Sequence, residues 1–279
     1  MQKFEVNGHE PSLLPEGNWE LSFHDEFDGS TLDESKWDYR LHMMQQRWIS
    51  WTDKGVHLDG NSNAVFTLME EDGRLCCSQL ATGHNYMDLP PTVEYTNTTD
   101  MAAGEEVLKW PIGKLQKSKF LHGPGYYECR CRLQQKAGWW SAFWIQSPTP
   151  GCSLDVNECG VEIDIMEHFR PGILKPHNVF SFGYGADETR IKVGGFDGID
   201  TKEFHRFGLL WDETGYTFYV DGKEDGKITD LVTARPEFIL ISTEVTGYRK
   251  PSMTPIPESF DAVGDTFLVD YVRVFDRKK

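Results

Sequence analysis

No run of apolar residues in this chain approaches the ~20 needed to cross a bilayer as a helix. The opening residues, MQKFEVNGHEPSLLPEGNW, contain no apolar stretch of the kind that marks a secretory leader. The chain is therefore read as cytoplasmic, or as secreted or periplasmic if a leader has been removed, and it is not expected to insert in a membrane. Positive charge is scarce: 28 Lys and Arg face 44 Asp and Glu, a net charge of −16. Phosphate backbones and anionic lipid surfaces need a basic face, so neither nucleic acid nor a membrane is an expected partner. A neutral substrate is indifferent to this field, whereas a sulfated polymer is repelled at long range unless Arg or Lys line its groove.

Cysteine is sparse and shows no metal-binding spacing. None of Cys76, Cys77, Cys129, Cys131, Cys152 and Cys159 belongs to a doubled C-x-x-C. Cys129 and Cys131 alternate in CRCR and read as small core hydrophobes of one strand. Cys152 and Cys159 flank a short loop and could bridge, but a set of free thiols is the expectation. Also missing are internal repeats, low-complexity linkers and amphipathic helices longer than a few turns, so residues 1–279 are read as a single domain acting as a monomer.

What the chain has in abundance is strand-forming sequence. Aromatic residues make up 13% of it, more than a core alone explains, which also suits a site that stacks flat rings. Strands are expected at Trp19–Phe23, Asn63–Met69, Leu75–Leu80, Gly125–Leu133, Ala142–Gln146, Val161–Phe169, Asn178–Tyr184, Phe204–Trp211, Tyr216–Val220, Glu237–Thr243 and Thr266–Phe275. Asp221-Gly222 reads as a hairpin or a simple surface turn. The polar stretch Thr82–Gly104 and the Pro-rich Lys250–Pro257 read as long loops. So many strands without a break mean an all-β sandwich or barrel. Two large antiparallel sheets suit the count, and the curved face of a sandwich offers a concave groove for a polymer.

The segment Val161-Glu162-Ile163-Asp164-Ile165-Met166-Glu167-His168 carries the most chemistry. On a strand, side chains alternate, so Glu162 and Asp164 share one face and Val161, Ile163 and Ile165 fill the other. Glu167 is one residue out of step, and a bulge near Ile165 and Met166 would return it to the carboxylate face. Three crowded carboxylates repel each other, so stability does not account for them. A retaining glycosidase does: it needs one ionised carboxylate as nucleophile and one protonated carboxyl as acid, about 5–5.5 Å apart. His168 then points away from that face as a packed residue. Upstream, Trp140 and Trp144 also share a face and could offer indoles to sugar rings. Arg47, Trp48 and Trp51 could form a further wall of the cleft.

These residues resemble the family 16 glycoside hydrolases, the clan of laminarinases, lichenases, agarases, porphyranases and carrageenases. The bulged signature E-x-D-x-x-E stands here as Glu162, Asp164 and Glu167. Weaker matches run from Phe23-His-Asp-Glu-Phe-Asp-Gly29 through Trp140-Ser-Ala-Phe-Trp144 and His205-Arg-Phe-Gly-Leu-Leu-Trp211 to Val269-Asp-Tyr-Val-Arg-Val274. The resemblance implies a β-jelly roll, an endo cut with retention, Glu162 as nucleophile, Asp164 as its electrostatic helper and Glu167 as acid/base. It implies no cofactor for catalysis, but a structural calcium near the chain ends, with Asp270 and Glu26 as the matching ligands. The Asn-Asn-Glu triplet usual in laminarinases is replaced here by Arg47-Trp48-Ile49-Ser50-Trp51-Thr52-Asp53. The substrate is expected to be a polysaccharide, with a β-glucan slightly ahead of a β-galactan. A transglycosylase or a non-catalytic carbohydrate-binding protein on the same sandwich is the remaining alternative.

Overall fold

The computed structural model describes residues 1–43, 46–88, 116–181, 189–247 and 254–278. Most of the long loop Thr82–Gly104, the end of Asn178–Tyr184 and the start of Lys250–Pro257 lie outside them. Two eight-stranded sheets dominate the described residues. Their strands, in chain order, are β1 (Trp19–Asp25), β2 (Asp38–Tyr39), β3 (Val56–Leu58), β4 (Ala64–Thr67), β5 (Gln79–Ala81), β6 (Gly125–Arg132), β7 (Trp139–Gln146) and β8 (Glu162–Arg170). They continue as β9 (Ile173–Leu174), β10 (His177–Ser181), β11 (Thr189–Val193), β12 (Phe204–Asp212), β13 (Gly215–Val220), β14 (Lys223–Ile228), β15 (Phe238–Val245) and β16 (Thr266–Arg277).

One sheet runs β11-β10-β8-β7-β15-β5-β2, with β9 paired to β8. The other runs β14-β13-β12-β6-β16-β4-β3, with β1 paired to β16. Strands far apart in sequence are neighbours in both, as in a jelly roll, and the pairings are antiparallel. Most of the expected strands form, but Leu75–Leu80 is split: Arg74–Cys76 pairs with Met69–Glu71 in a separate hairpin, whereas Gln79–Ala81 joins the first sheet. The charged TRIKV and KEDGKI segments add β11 and β14.

Period-2 patterning explains how the sheets meet. Phe143 and Ile145 of β7, Ile163 of β8 and Ile239 and Ile241 of β15 point inward from the first sheet. Cys129 and Cys131 of β6, Phe207 and Leu209 of β12 and Val272 and Val274 of β16 meet them from the second. Fully burying side chains of this size stabilises by roughly 1.5–3 kcal/mol each. The outer face of the second sheet is covered by the N-terminal hairpin Gln2–Phe4 with Ser12–Leu14, where Leu14 packs with Trp19, Tyr126 and Phe275.

Two local devices shape the chain. Asp221 (φ 49°) and Gly222 (φ 73°) both take the left-handed conformation, the signature of a type I′ turn, and join β13 to β14 as a hairpin. Gly160 (φ 75°) ends the short helix Val156–Cys159, and a Cβ there would lie 2.4 Å from Ser147 Cβ, so glycine lets the chain turn straight into β8. Pro257, read from the sequence as loop, instead opens a short helix, Pro257–Asp261. All six cysteines are free thiols, and Cys152 and Cys159 do not bridge.

Candidate active site

The register of β8 against β7 decides which side chains share a face. Phe143 pairs with Met166, but the next residue, Trp144, pairs with Asp164, leaving Ile165 without a partner. This is the bulge expected from the sequence. Ile165 and Met166 both sink into the core, at 0% and 1% exposure. Glu167 thereby returns to the outer face, and Glu162, Asp164 and Glu167 line one cavity of about 200 Å³.

The walls of that cavity come from neighbouring strands by the same alternation. β7 supplies Trp140, Ala142, Trp144 and Gln146, and β15 supplies Ser242 and Glu244. Gln146 donates from Nε2 to Glu162 Oε2 at 2.6 Å, while its own Oε1 accepts from Asn85 Nδ2, which fixes the orientation of the amide. Asn178 of β10 donates from Nδ2 to Asp164 Oδ2 at 2.5 Å and reaches Glu167 Oε2 at 3.5 Å, so one amide bridges two carboxylates. Trp140 stacks on Phe169 with ring centroids 4.8 Å apart, and Trp144 donates its indole N–H to Ser242 Oγ at 2.9 Å. Both indoles line the carboxylate cavity and are held by partners within the sheet. Phe169 lines a second, larger cavity of about 830 Å³ with Arg170 and Lys175.

Arg40 was not legible as a site residue. Its guanidinium lies between the rings of Trp51 and Trp144, 5.1 and 5.4 Å from their centroids, and donates to Asp88 Oδ1 at 2.6 Å. It also reaches Gln79 Oε1 at 3.3 Å, and Gln79 Nε2 in turn donates to Glu244 Oε1 at 3.4 Å. The chain Asp88–Arg40–Gln79–Glu244 ties the loop after β5 to the groove wall. Gln146, Ser242 and Glu244 had a readable signal, since each continues an alternation on a strand with an apolar opposite face.

Beneath the groove, two titratable groups are buried. Glu237 accepts the Val161 N–H on Oε1 at 2.9 Å, just before Glu162, and burial together with the charge of Glu162 pushes its carboxyl well above the usual range. His168 is fully buried on the core side of β8, with neither ring nitrogen hydrogen-bonded among the described residues, and burial lowers its pKa to about 4. It is the packed histidine expected.

Arg47, Trp48 and Trp51 are not at the carboxylates. They line a separate cavity of about 220 Å³ with Ile49, Thr52, Glu71, Arg74 and Cys76. The Trp51 side chain is buried at 3% exposure, and Arg47 donates to the Leu41 carbonyl at 3.2 Å. The wall near the carboxylates is built by Arg40, Met43 and Met87 instead. Glu26 and Asp270 do not fit a calcium. Glu26 is held by Arg273 through two bonds of 2.9 and 2.6 Å, and Asp270 by Arg130 at 2.5 Å. Two guanidiniums already satisfy the carboxylates that a hard cation would require.

Comparison with known proteins finds relatives over most of the chain. The chain is 24% identical over 275 residues to a glucan endo-1,3-beta-glucosidase A1 of Niallia circulans, covering 91% of this chain but only 37% of that protein. It is 25% identical over 277 residues to a beta-glucanase of Rhodothermus marinus, covering 92% of this chain and 85% of that one. The endo-beta-1,3-glucanase structure from Pyrococcus furiosus superposes with a TM-score of 0.64 at 20% identity over 99% of this chain and 98% of the other, a likeness of fold. The family described as Glycosyl hydrolases family 16 matches residues 45–236. With the bulged carboxylate strand at the centre of that match, the chain belongs to family 16 of the glycosyl hydrolases.

Proposed function

We propose that the protein is an endo-β-glycanase that cuts internal linkages of a β-glucan with retention of configuration, acting as a monomer. The observation that carries this reading is the bulge at Ile165, which sets Glu162, Asp164 and Glu167 around one cavity. Glu162 attacks the anomeric carbon as the glycosidic bond breaks, forming a glycosyl ester. Glu167 gives its proton to the departing oxygen. Glu167 then takes a proton from water, the water oxygen attacks the same carbon, and Glu162 leaves as carboxylate. Gln146 holds the Glu162 carboxylate by an amide hydrogen bond, and Asn178 sets the spacing of Asp164 and Glu167. Trp140 and Trp144 offer the apolar floor on which sugar C–H faces rest.

The reaction needs only carboxyl groups and water, so no cofactor enters it, and the arginine pairings of Glu26 and Asp270 speak against a calcium requirement. The glucanases among the relatives support a β-glucan over a β-galactan. The test is a panel of laminarin, lichenan, agarose, porphyran, carrageenan and mucin glycans, read by product size over time. Early release of mid-length oligosaccharides from laminarin or lichenan supports the reading. Cleavage of porphyran or carrageenan alone overturns the glucan assignment.

A further inference from the structure

The cross-strand register places two basic residues in line with the carboxylates. Glu162 pairs with Phe180 of β10, and Phe180 pairs with Arg190 of β11. One pleat along, Asp164 pairs with Asn178, and Asn178 pairs with Lys192. Alternation puts Ile191 and Val193 against the core, so Arg190 and Lys192 project on the groove side. Arg190 lines the same cavity as Glu162, Asp164 and Glu167. Two strand steps, about 10 Å, separate the Arg190 and Glu162 backbones, and the long Arg side chain covers much of that span.

The state of Arg190 differs from that of the structural arginines. Arg40, Arg130, Arg206 and Arg273 each hold a carboxylate at 3.0 Å or less. Arg190 is exposed, has no ion pair within the described residues, and lays its guanidinium over the Phe180 ring, 4.5 Å from the centroid. Stacking fixes the plane of a guanidinium while leaving its edge N–H donors open, the arrangement that takes an oxyanion by two parallel hydrogen bonds. Lys192 is likewise exposed and without an ion pair there. In a chain of net charge −16, two uncommitted cations beside three carboxylates are a local exception. The overall field disfavours an anionic polymer at long range, so such a polymer would have to be recognised by a short-range site of this kind.

We propose that Arg190, backed by Lys192, forms a subsite for an anionic substituent, a sulfate ester or a carboxylate, on a sugar adjacent to the cleaved bond. This rests on the proposed endo-β-glycanase reading and narrows its substrate to an acid-substituted β-glycan. Phe180 holds the plane of the guanidinium, and Arg190 takes the charge of the substituent.

The test uses three length-matched β-1,3-glucans: unmodified, sulfated and carboxymethylated. Affinity electrophoresis is run on Glu162→Gln protein with Arg190 intact and with Arg190→Gln added, and cleavage is followed with the wild-type chain and with Arg190→Gln alone. The expected result is at least tenfold tighter binding of one anionic glucan than of the unmodified one. That preference falls at least tenfold on Arg190→Gln, less on Arg190→Lys or Lys192→Gln, and weakens as salt rises. The arm that shows it tells sulfate from carboxylate. Equal affinity for all three glucans, or a preference unmoved by Arg190→Gln, overturns the subsite. A preference that depends on Arg190, in a wild-type chain that cuts none of the three, would sink the endo-glucanase reading while leaving the subsite standing.

Discussion

Gln146 donates from Nε2 to Glu162 Oε2 at 2.6 Å, and the Gln146 carbonyl is occupied by Asn85, so its amide can present only its N–H to the carboxylate. A hydrogen bond to a charged acceptor contributes about 1.5–3 kcal/mol. Replacing Gln146 with Ala is expected to lower kcat on laminarin by about 10- to 100-fold with little change in KM. Steady-state kinetics check this, and unchanged kcat would remove Gln146 from the account.

The unpaired Ile165 makes a deletion informative. Without it the strand reads Glu162-Ile-Asp-Met-Glu, a plain alternation that keeps all three carboxylates on the groove face. The variant lacking Ile165 is expected to fold with a lower Tm, losing about 2–5 kcal/mol from the missing core side chain. It should retain measurable activity. Circular dichroism, thermal denaturation and activity on laminarin check this, and a folded variant with no turnover would contradict it.

His168 predicts an acid-labile fold. Its pKa, about 4 when folded, is below the ordinary 6.5, so the unfolded chain binds the extra proton. Stability is therefore full above about pH 6.5 and falls as pH drops toward 4, by up to about 3 kcal/mol. His168→Leu should flatten that part of the stability curve and, by removing unsatisfied buried nitrogens, raise stability near neutral pH. Urea midpoints between pH 4 and 7.5 check both statements.

Arg40 and Asp88 form a buried pair, 4% exposed each. Arg40→Leu leaves Asp88 uncompensated and is expected to cost about 3–5 kcal/mol. The double change with Asp88→Leu should recover much of this, and a thermal-denaturation cycle measures the coupling. Because Arg40 also separates Trp51 from Trp144, the single variant should raise KM as well.

Much of this architecture is written in the chain by alternation alone. The strand WWSAFWIQ declares both its faces, and EIDIMEHF declares its bulge by placing two apolar residues where one belongs. Strands β11 and β14 were hidden because TRIKV and KEDGKI are charged edge segments whose pairing is set by tertiary neighbours. The groove wall from Arg40 was hidden for a different reason: its partners lie 48 residues away at Asp88 and on other strands, and no local pattern encodes that contact. Arg47, Trp48 and Trp51 look alike in sequence to a cleft wall, but the chain turns them to a separate cavity. Asp270 and Glu26 match a calcium site by position, while the arginines that occupy them are distant in sequence.

The central claim assigns opposite roles to two carboxylates, and azide rescue reads those roles directly. Glu162→Ala and Glu167→Ala are each given an activated aryl β-laminaribioside with sodium azide, and the anomeric configuration of the glycosyl azide is determined by proton NMR. With Glu162 as nucleophile, azide replaces it in the first variant and gives the α-azide. With Glu167 as acid/base, azide attacks the glycosyl–Glu162 ester in the second and gives the β-azide. The same pair of products with the variants exchanged would contradict the assignment.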